Sequence, residues 1–412
     1  MESTDQIINN PEAPLTQGLR KSVGWIMIVG IIFVATNLRA PLTSVGPLAG
    51  LIRDSLHISN TLAGLITTLP LLAFALFSPF VPGLGRRWGM ERMILISVTF
   101  LTLGIMIRWL PGAPALYAGT AVLGLAISVC NVLLPAFIKR EFPTKIGLLT
   151  GVYSISMNLF GAIASGISVP VAVGLGLGWP TSLGIWGVLS LASIMVWLPQ
   201  LKRRGIPSGA APLQADNQDV SLWRSPLAWQ VTLFMGLQST VFYVLIAWLP
   251  EILKLQGVGS DQSGWLLSIM QLSLLPFTFV VPVLAGRMSS QRPLVIIMSI
   301  LLLMGTLGLV YGSSNLIVLW IILLGIGGGF AFSLAMMFFG LRTRSAHQAA
   351  ELSGMAQSFG YLLAAAGPTL FGYLHDATQS WTIPLLILVG ASVLLLIVGL
   401  GASRDRYIDS AK

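Results

Sequence analysis

Residues 23–46 read VGWIMIVGIIFVATNLRAPLTSVG, an apolar run that contains a single charged residue, Arg39. A transmembrane helix needs about 20 consecutive, mainly apolar residues, so this run is long enough to cross a bilayer. Stretches of the same kind recur along the chain, which predicts an all-α membrane protein with twelve transmembrane helices. The predicted spans have the approximate limits 23–46, 61–84, 93–110, 115–138, 147–170, 179–198, 227–250, 262–285, 293–312, 315–340, 352–374 and 382–402.

The composition of the 412-residue chain agrees with this class. Hydrophobic residues make up 55% of it, charged residues make up 9%, and the mean hydropathy is +0.85. A soluble domain usually carries about 25% charged residues, so this chain has too little charge to cover a water-facing surface. A disulfide scaffold is excluded because Cys130 is the only cysteine, and disorder is excluded by the apolar excess.

Lysine and arginine are unevenly distributed between the loops. With an even number of spans both termini share a side, and nineteen of the 23 Lys and Arg residues lie on that side. The opposite side carries three of them, Arg53, Arg108 and Lys254. Cytoplasmic loops are enriched in positive charge, so we expect both termini in the cytoplasm and the protein in the bacterial cytoplasmic (inner) membrane. The net charge of +9 then reflects topology, and no nucleic-acid partner is expected.

The spans fall into two groups of six. A polar stretch between the groups predicts a cytoplasmic linker. The two groups repeat at an offset of 203 residues, which pairs Pro47 with Pro250 and Gly151 with Gly354. Two parallel six-helix halves around a central site are the architecture of the major facilitator superfamily. The predicted units are an N-terminal tail 1–22, an N-terminal half 23–198, the linker 199–226, a C-terminal half 227–402 and a C-terminal tail 403–412.

Five segments carry a resemblance to one branch of that superfamily. They are NLRAPLTSVGPL at 37–48, LITTLPLLAFALFSP at 65–79, NVLLPAFIKREFP at 131–143, RSPLAWQVTLFMG at 224–236 and SAHQAAELSGMAQSFGYLLAAAGP at 345–368. They resemble the cyanate/nitroimidazole transporters, and the last two are most similar to nitroimidazole-transporter members. The resemblance implies a small-molecule substrate of one of these two kinds. Nitroimidazole relatives suggest export, whereas cyanate relatives suggest uptake.

Ionisable residues are nearly absent from the predicted spans. Every acidic residue and all three histidines lie in a tail, a loop or a span end. No mid-span group is left for a proton relay, a metal site or acid–base catalysis, so we expect no metal, no cofactor and no enzymatic activity. The exception is Arg39. A guanidinium in a membrane suits an anion or an electron-rich polar group, although snorkelling to the interface or binding to helix-end carbonyls is the structural alternative.

Other polar residues inside the spans are candidates for lining a solute cavity. Gln357 and Tyr361 lie on a polar stripe of span 11, and the resemblance favours Asn131, Gln238 and Tyr243, since spans 1, 4, 7 and 10 line the superfamily's cavity. The predicted substrate-binding residues, all polar, are Arg39, Asn131, Gln238, Tyr243, Gln357 and Tyr361. Cavity lining and helix packing are alternatives for Asn37, Thr43, Asn158 and Gln271.

The function that these features favour is secondary active transport. Two halves that rock around a central site would move a small anion or a neutral polar heterocycle, and we expect a monomer in the lipid bilayer. A nitroimidazole-type heterocycle, exported, is the preferred substrate, and uptake of cyanate or another small anion is the alternative. A membrane receptor or enzyme on the same scaffold would need a cluster of reactive side chains or a soluble domain. A channel is a less suitable alternative, because two paired halves suit alternating access better than a continuous pore.

Overall fold

The computed structural model describes residues 13–58, 60–201, 222–258 and 260–408, and these ranges form helices and short connections without a strand. Residues 1–12 and 409–412 of the predicted tails and residues 202–221 of the predicted linker lie outside the described residues. Within these ranges the α-helices are α1 Ala13–Thr36, α2 Ala40–Thr43, α3 Ala49–Leu56, α4 Asn60–Phe77, α5 Val81–Trp88, α6 Met90–Trp109, α7 Ala113–Glu141, α8 Ile146–Val169, α9 Gly178–Gly184, α10 Trp186–Leu201, α11 Pro226–Leu255, α12 Ser260–Ala285, α13 Arg292–Tyr311, α14 Ile317–Leu341, α15 Ala346–Thr378 and α16 Thr382–Ala402.

Eleven helical stretches of the described chain are long and apolar enough to cross a membrane. Helix α15 is a further long helix of 33 residues. It is less apolar because amide and hydroxyl side chains, among them Gln357 and Ser358, interrupt its sequence. The predicted all-α membrane fold is therefore confirmed, with α15 as the twelfth and most polar long segment.

The first span is a broken helix. Helix α1 ends at Thr36, a turn follows at 37–39, and the four-residue helix α2 ends at Thr43. Proline has no N–H and its ring clashes with the carbonyl four residues earlier. Pro41 and Pro47 therefore prevent a continuous helix, although the sequence predicted one uninterrupted span at 23–46. The turn leaves Arg39 at the N-terminal cap of α2, near the middle of the segment Gly24–Leu56.

Helices α1–α10 form the N-terminal half and helices α11–α16 form the C-terminal half. The halves pack against each other through α4 with α15 and α8 with α12. Small residues allow this close approach. A Cβ atom on Gly354 would lie 2.8 Å from the carbonyl oxygen of Ser78, and one on Gly151 would lie 2.9 Å from that of Phe279. The two glycines that the sequence repeat matched thus lie at equivalent contacts between the halves.

Hydrogen bonds join the halves on one side of the molecule. We call this side, where α1 begins and α16 ends, the terminal face. Lys139 at the end of α7 donates to the carbonyl of Gly340 (2.7 Å) and to both oxygens of Thr343, at the end of α14. The Ser358 hydroxyl donates to the carbonyl of Ala75 over 2.6 Å. The described structure is therefore closed between the centre of the molecule and the terminal face.

Candidate functional site

A small cavity lies between the two halves, about half-way along the long helices. Its wall includes residues of α4, α7, α8, α11, α14 and α15 and the broken segment at Arg39. The cavity measures about 20 Å³, which is room for a single water molecule. A second, adjoining cavity of about 10 Å³ shares part of the wall. We call the two together the central cavity. The side chains common to both are Arg39, Tyr243, Phe332 and Tyr361.

The Arg39 guanidinium extends from the N-terminal half to aromatic rings of the C-terminal half. Its central carbon lies 5.1 Å from the ring centroid of Phe242 and 5.4 Å from that of Phe332. Both distances are in the range of cation–π attraction. The aliphatic part of Arg39 packs on Gly161 of α8, where an added Cβ would lie 3.1 Å from the Arg39 Cβ. Among the described residues, no carboxylate forms an ion pair with Arg39.

Asn131 and Gln357 connect the halves at the wall of the cavity. The Gln357 Nε2 donates to the backbone oxygen of Asn131 over 3.0 Å and to the Ser353 hydroxyl over 2.8 Å. The Gln357 Oε1 is buried without a hydrogen-bond partner in the described structure. The Tyr153 hydroxyl lies 3.5 Å from the Asn131 Oδ1, a long contact. These groups supply both donors and acceptors beside Arg39.

The remaining three predicted binding residues also line the central cavity. Tyr361 is buried, and its ring centroid lies 5.0 Å from that of Phe74 in the other half. Tyr243 lies on α11, next to Phe242. The Gln238 Nε2 donates to the Ser239 hydroxyl over 2.7 Å. All six predicted substrate-binding residues thus lie around one cavity.

The four residues for which cavity lining and helix packing were the alternatives lie in different parts of the structure. Asn37 is fully buried and donates to the Ser193 hydroxyl over 2.7 Å, which joins α1 to α10. Thr43 donates to the carbonyl of Gly161 over 2.7 Å and so fixes α2 on α8. Asn158 lies in the wall of the adjoining cavity. Gln271 is half-buried and is absent from the lining of the central cavity.

Sequence reasoning missed most of the aromatic part of the wall. Phe242, Phe332, Phe74 and Tyr153 line the cavity, and none of them was a candidate. A signal was present on α14, where Gly328, Phe332 and Met336 follow each other at four-residue spacing and so share a helix face. The sequence alone did not show that this face turns toward Arg39.

A buried cation, Arg108, supports the broken first span. Arg108 was predicted on the side opposite the termini, at the end of the span 93–110, and the structure places it near the end of α6 with 1% of its surface exposed. Its Nη1 donates to the carbonyl of Pro41 in α2 over 2.8 Å. Because α2 ends after Thr43, this carbonyl has no regular helical donor. Arg108 therefore holds the segment that presents Arg39.

Comparisons with known proteins identify the family of this chain. The sequence profile of a family described as Major Facilitator Superfamily matches residues 27–368 and 235–410. The uncharacterized transporter YycB of Bacillus subtilis (strain 168) is 47% identical over 94% of this chain and 96% of its own length. The 2-nitroimidazole transporter of Escherichia coli (strain K12) is 42% identical over 93% and 96%. The cyanate transport protein CynX of the same organism is 27% identical over 90% and 96%.

A solved structure shares the fold. The proton:xylose symporter XylE, bound to 6-bromo-6-deoxy-D-glucose, superposes with a TM-score of 0.73 over 94% of this chain and 98% of its own. The identity is 12%, so this likeness concerns the fold alone. The relatives and the fold are those of transporters and not of enzymes. The chain belongs to the Major Facilitator Superfamily, and its relatives place it among the cyanate/nitroimidazole transporters, as the five segments predicted.

Proposed function

We propose that this protein is a secondary transporter that exports a small, planar, polar solute of the nitroimidazole type by alternating access. The observation that carries the proposal is the Arg39 guanidinium, which lies over the rings of Phe242 and Phe332 and has no acidic partner among the described residues. The name of a relative that is 42% identical, a 2-nitroimidazole transporter, supports the same substrate class.

The chemistry of a nitro-heterocycle suits these groups. The two oxygens of a nitro group lie in one plane and share partial negative charge. A guanidinium offers two parallel N–H donors in a matching plane. Phe242 and Phe332 provide faces on which a flat ring packs. Asn131, Gln238, Gln357 and the hydroxyls of Tyr243 and Tyr361 complete the wall with polar groups that fix the orientation of the ring.

Transport requires the halves to move. A five-membered ring with a nitro group is larger than a cavity of about 20 Å³, so the solute enters a more open form of the same site. Entry of the solute from the terminal face requires the bonds from Lys139 to Gly340 and Thr343 to break. A solute that contacts both Arg39 and the rings of the other half favours the form in which the halves lie close together, and this shifts the population of conformers.

Uptake of cyanate or another small anion is the second candidate. A partly buried cation beside the cavity suits a small anion by charge. The 27% identity to a cyanate transport protein supports it. The two candidates predict different solutes for the same Arg39 site.

A transport assay separates the candidates. Purified protein in proteoliposomes is given radiolabelled 2-nitroimidazole or radiolabelled cyanate, with empty liposomes and the Arg39→Ala protein as controls. Transport of 2-nitroimidazole above both controls supports the proposal, and transport of cyanate alone favours the second candidate. If the protein keeps its thermal transition and transports neither solute, both candidates are refuted. Inside-out vesicles that accumulate the solute establish export.

We further propose that the terminal face is cytoplasmic, in the bacterial inner membrane, and that one chain acts alone. The excess of Lys and Arg on that face supports the orientation, and a cavity lined by both halves of one chain supports a monomer. In a Cys130→Ala background, cysteines introduced at Arg87 on the terminal face and at Asn315 on the other face should label from opposite sides of intact cells. Labelling of both sites from outside would refute the orientation.

A further inference from the structure

The two ends of the Gln357 side-chain amide have different surroundings: the nitrogen is hydrogen-bonded and the oxygen is not. Gln357 lies on α15 with 1% of its surface exposed. Its Nε2 donates to the backbone oxygen of Asn131, in the opposite half, and to the Ser353 hydroxyl. A backbone oxygen only accepts hydrogen bonds, so the amino group of the amide must face Asn131. This contact fixes the direction in which the carbonyl oxygen points.

The other end of the amide, the Gln357 Oε1, has no donor in the described structure. A buried acceptor that is left unsatisfied destabilises a protein more than an ordinary hydrogen bond stabilises it. In native structures such atoms require an explanation, and a functional role is one of them. Gln357 lines the same cavity as Arg39. The unsatisfied oxygen therefore belongs to a side chain of the wall that a solute would contact.

We propose that the Gln357 Oε1 accepts a hydrogen bond from an N–H or O–H group of the transported solute. The inference rests on the proposed function and narrows its substrate class. The solute carries an oxygen-bearing group for Arg39 and, elsewhere on the same flat ring, a hydrogen-bond donor for Gln357. A ring of the same shape without the donor leaves the oxygen buried and unpaired, and the site rejects it for that reason.

The same contact links binding to the closing of the halves. One end of the Gln357 amide faces the solute, while the other holds the Asn131 backbone oxygen across the interface. A donor at Oε1 polarises the amide and strengthens the hydrogen bond made by Nε2, because consecutive hydrogen bonds reinforce each other. Solutes with the donor therefore favour the form that is closed toward the terminal face.

A pair of flat, neutral ligands tests the proposal. 2-Nitropyrrole has a ring N–H, and 2-nitrofuran has an oxygen at the same position and no donor. The dissociation constant of each is measured on purified protein. We expect the full-length wild-type protein to bind 2-nitropyrrole about tenfold more tightly or better, the usual effect of leaving a buried polar group unpaired. In Gln357→Met, which has no amide, the ratio of the two constants should fall to near one.

Ser358→Ala is the matched control, because it also removes a hydrogen bond between the halves but does not alter the wall residue Gln357. Its effect on both ligands should be equal, so the wild-type ratio should persist. Equal binding of the two ligands by the wild-type protein overturns the inference without a variant and leaves the proposed function in place. A wild-type ratio that persists in Gln357→Met also overturns it. Binding of neither ligand by protein that binds 2-nitroimidazole overturns the inference alone, and binding of none of the three compounds overturns the proposed nitroimidazole transport with it.

Discussion

Arg39→Lys keeps a positive charge in the central cavity and removes the planar shape of the guanidinium. In the structure the central carbon of the guanidinium lies 5.1 Å from the Phe242 centroid and 5.4 Å from the Phe332 centroid. A lysine ammonium is a compact, strongly hydrated charge that cannot form two parallel hydrogen bonds with a planar group. Loss of one charge-assisted hydrogen bond costs about 1.5–3 kcal/mol, so we expect the affinity for 2-nitroimidazole to fall roughly ten- to a hundredfold.

The assay compares binding and stability on the same purified proteins. The dissociation constant of 2-nitroimidazole is measured by calorimetry, and the melting temperature is measured in the same detergent. Arg140→Lys is the matched control: the Arg140 guanidinium also lies on a phenyl ring, 5.2 Å from the Phe137 centroid, but it pairs with Glu91 and Glu141 outside the cavity. The control should keep the wild-type affinity, whereas Arg39→Lys should lose affinity with little change in melting temperature.

Two results would refute the reasoning. A folded Arg39→Lys protein that binds and transports as well as the wild type would show that the planar fork does not contact the solute. An Arg39→Ala protein with a much lower melting temperature and unchanged affinity would assign Arg39 to the structural alternative, in which it only stabilises the broken first span. Neither result would affect the assignment to the superfamily, which rests on the whole chain.

Two further predictions concern the contacts between helices. Lys139→Met removes the charge-assisted hydrogen bonds from α7 to the end of α14, each worth about 1.5–3 kcal/mol. A cysteine introduced at Met336 in the cavity should therefore react several-fold faster with a maleimide added at the terminal face. An unchanged rate would contradict the closure described above. Gly119→Ala would place a Cβ 2.5 Å from the carbonyl oxygen of Gly104 where α7 crosses α6, and overpacking of this kind costs about 1–3 kcal/mol. The melting temperature of Gly119→Ala should fall. That of Gly166→Ala should not, because a Cβ atom at Gly166 has nothing within 4 Å. Equal melting temperatures of the two variants would refute this crossing.

The sequence predicted those features that depend on one residue type or on one helix. Apolar length predicted the spans, and the offset of 203 residues predicted that Gly151 and Gly354 occupy equivalent places. A single charge in an apolar run pointed to Arg39, because a charge in hydrocarbon is rare and costly. The break at Pro41 was also readable in principle, since proline disrupts a helix, but one uninterrupted span was predicted there.

Features that depend on how the halves meet were not predictable. Phe242 and Phe332 resemble any other apolar residue of a membrane helix, and only the relative rotation of α11 and α14 places them on Arg39. The bond from Gln357 to the Asn131 backbone also depends on the packing of two helices from different halves. Arg108 was predicted at a span end, but its contact with Pro41 was not predictable because it arises from the broken helix itself.

Four buried or partly buried cations of this protein have neutral partners. Arg39 lies over the rings of Phe242 and Phe332, Arg108 donates to the carbonyl of Pro41, and Lys139 donates to the end of α14. Arg342, which the offset of 203 residues pairs with Lys139, donates to the amide oxygen of Gln291. Neutral acceptors hold these charges without neutralising them. A carboxylate beside Arg39 would cancel its field and repel electron-rich solutes, whereas rings and amides leave the full charge available in a site of low dielectric constant, where it acts most strongly. We therefore expect the central cavity to attract a solute with concentrated negative charge and to repel an organic cation.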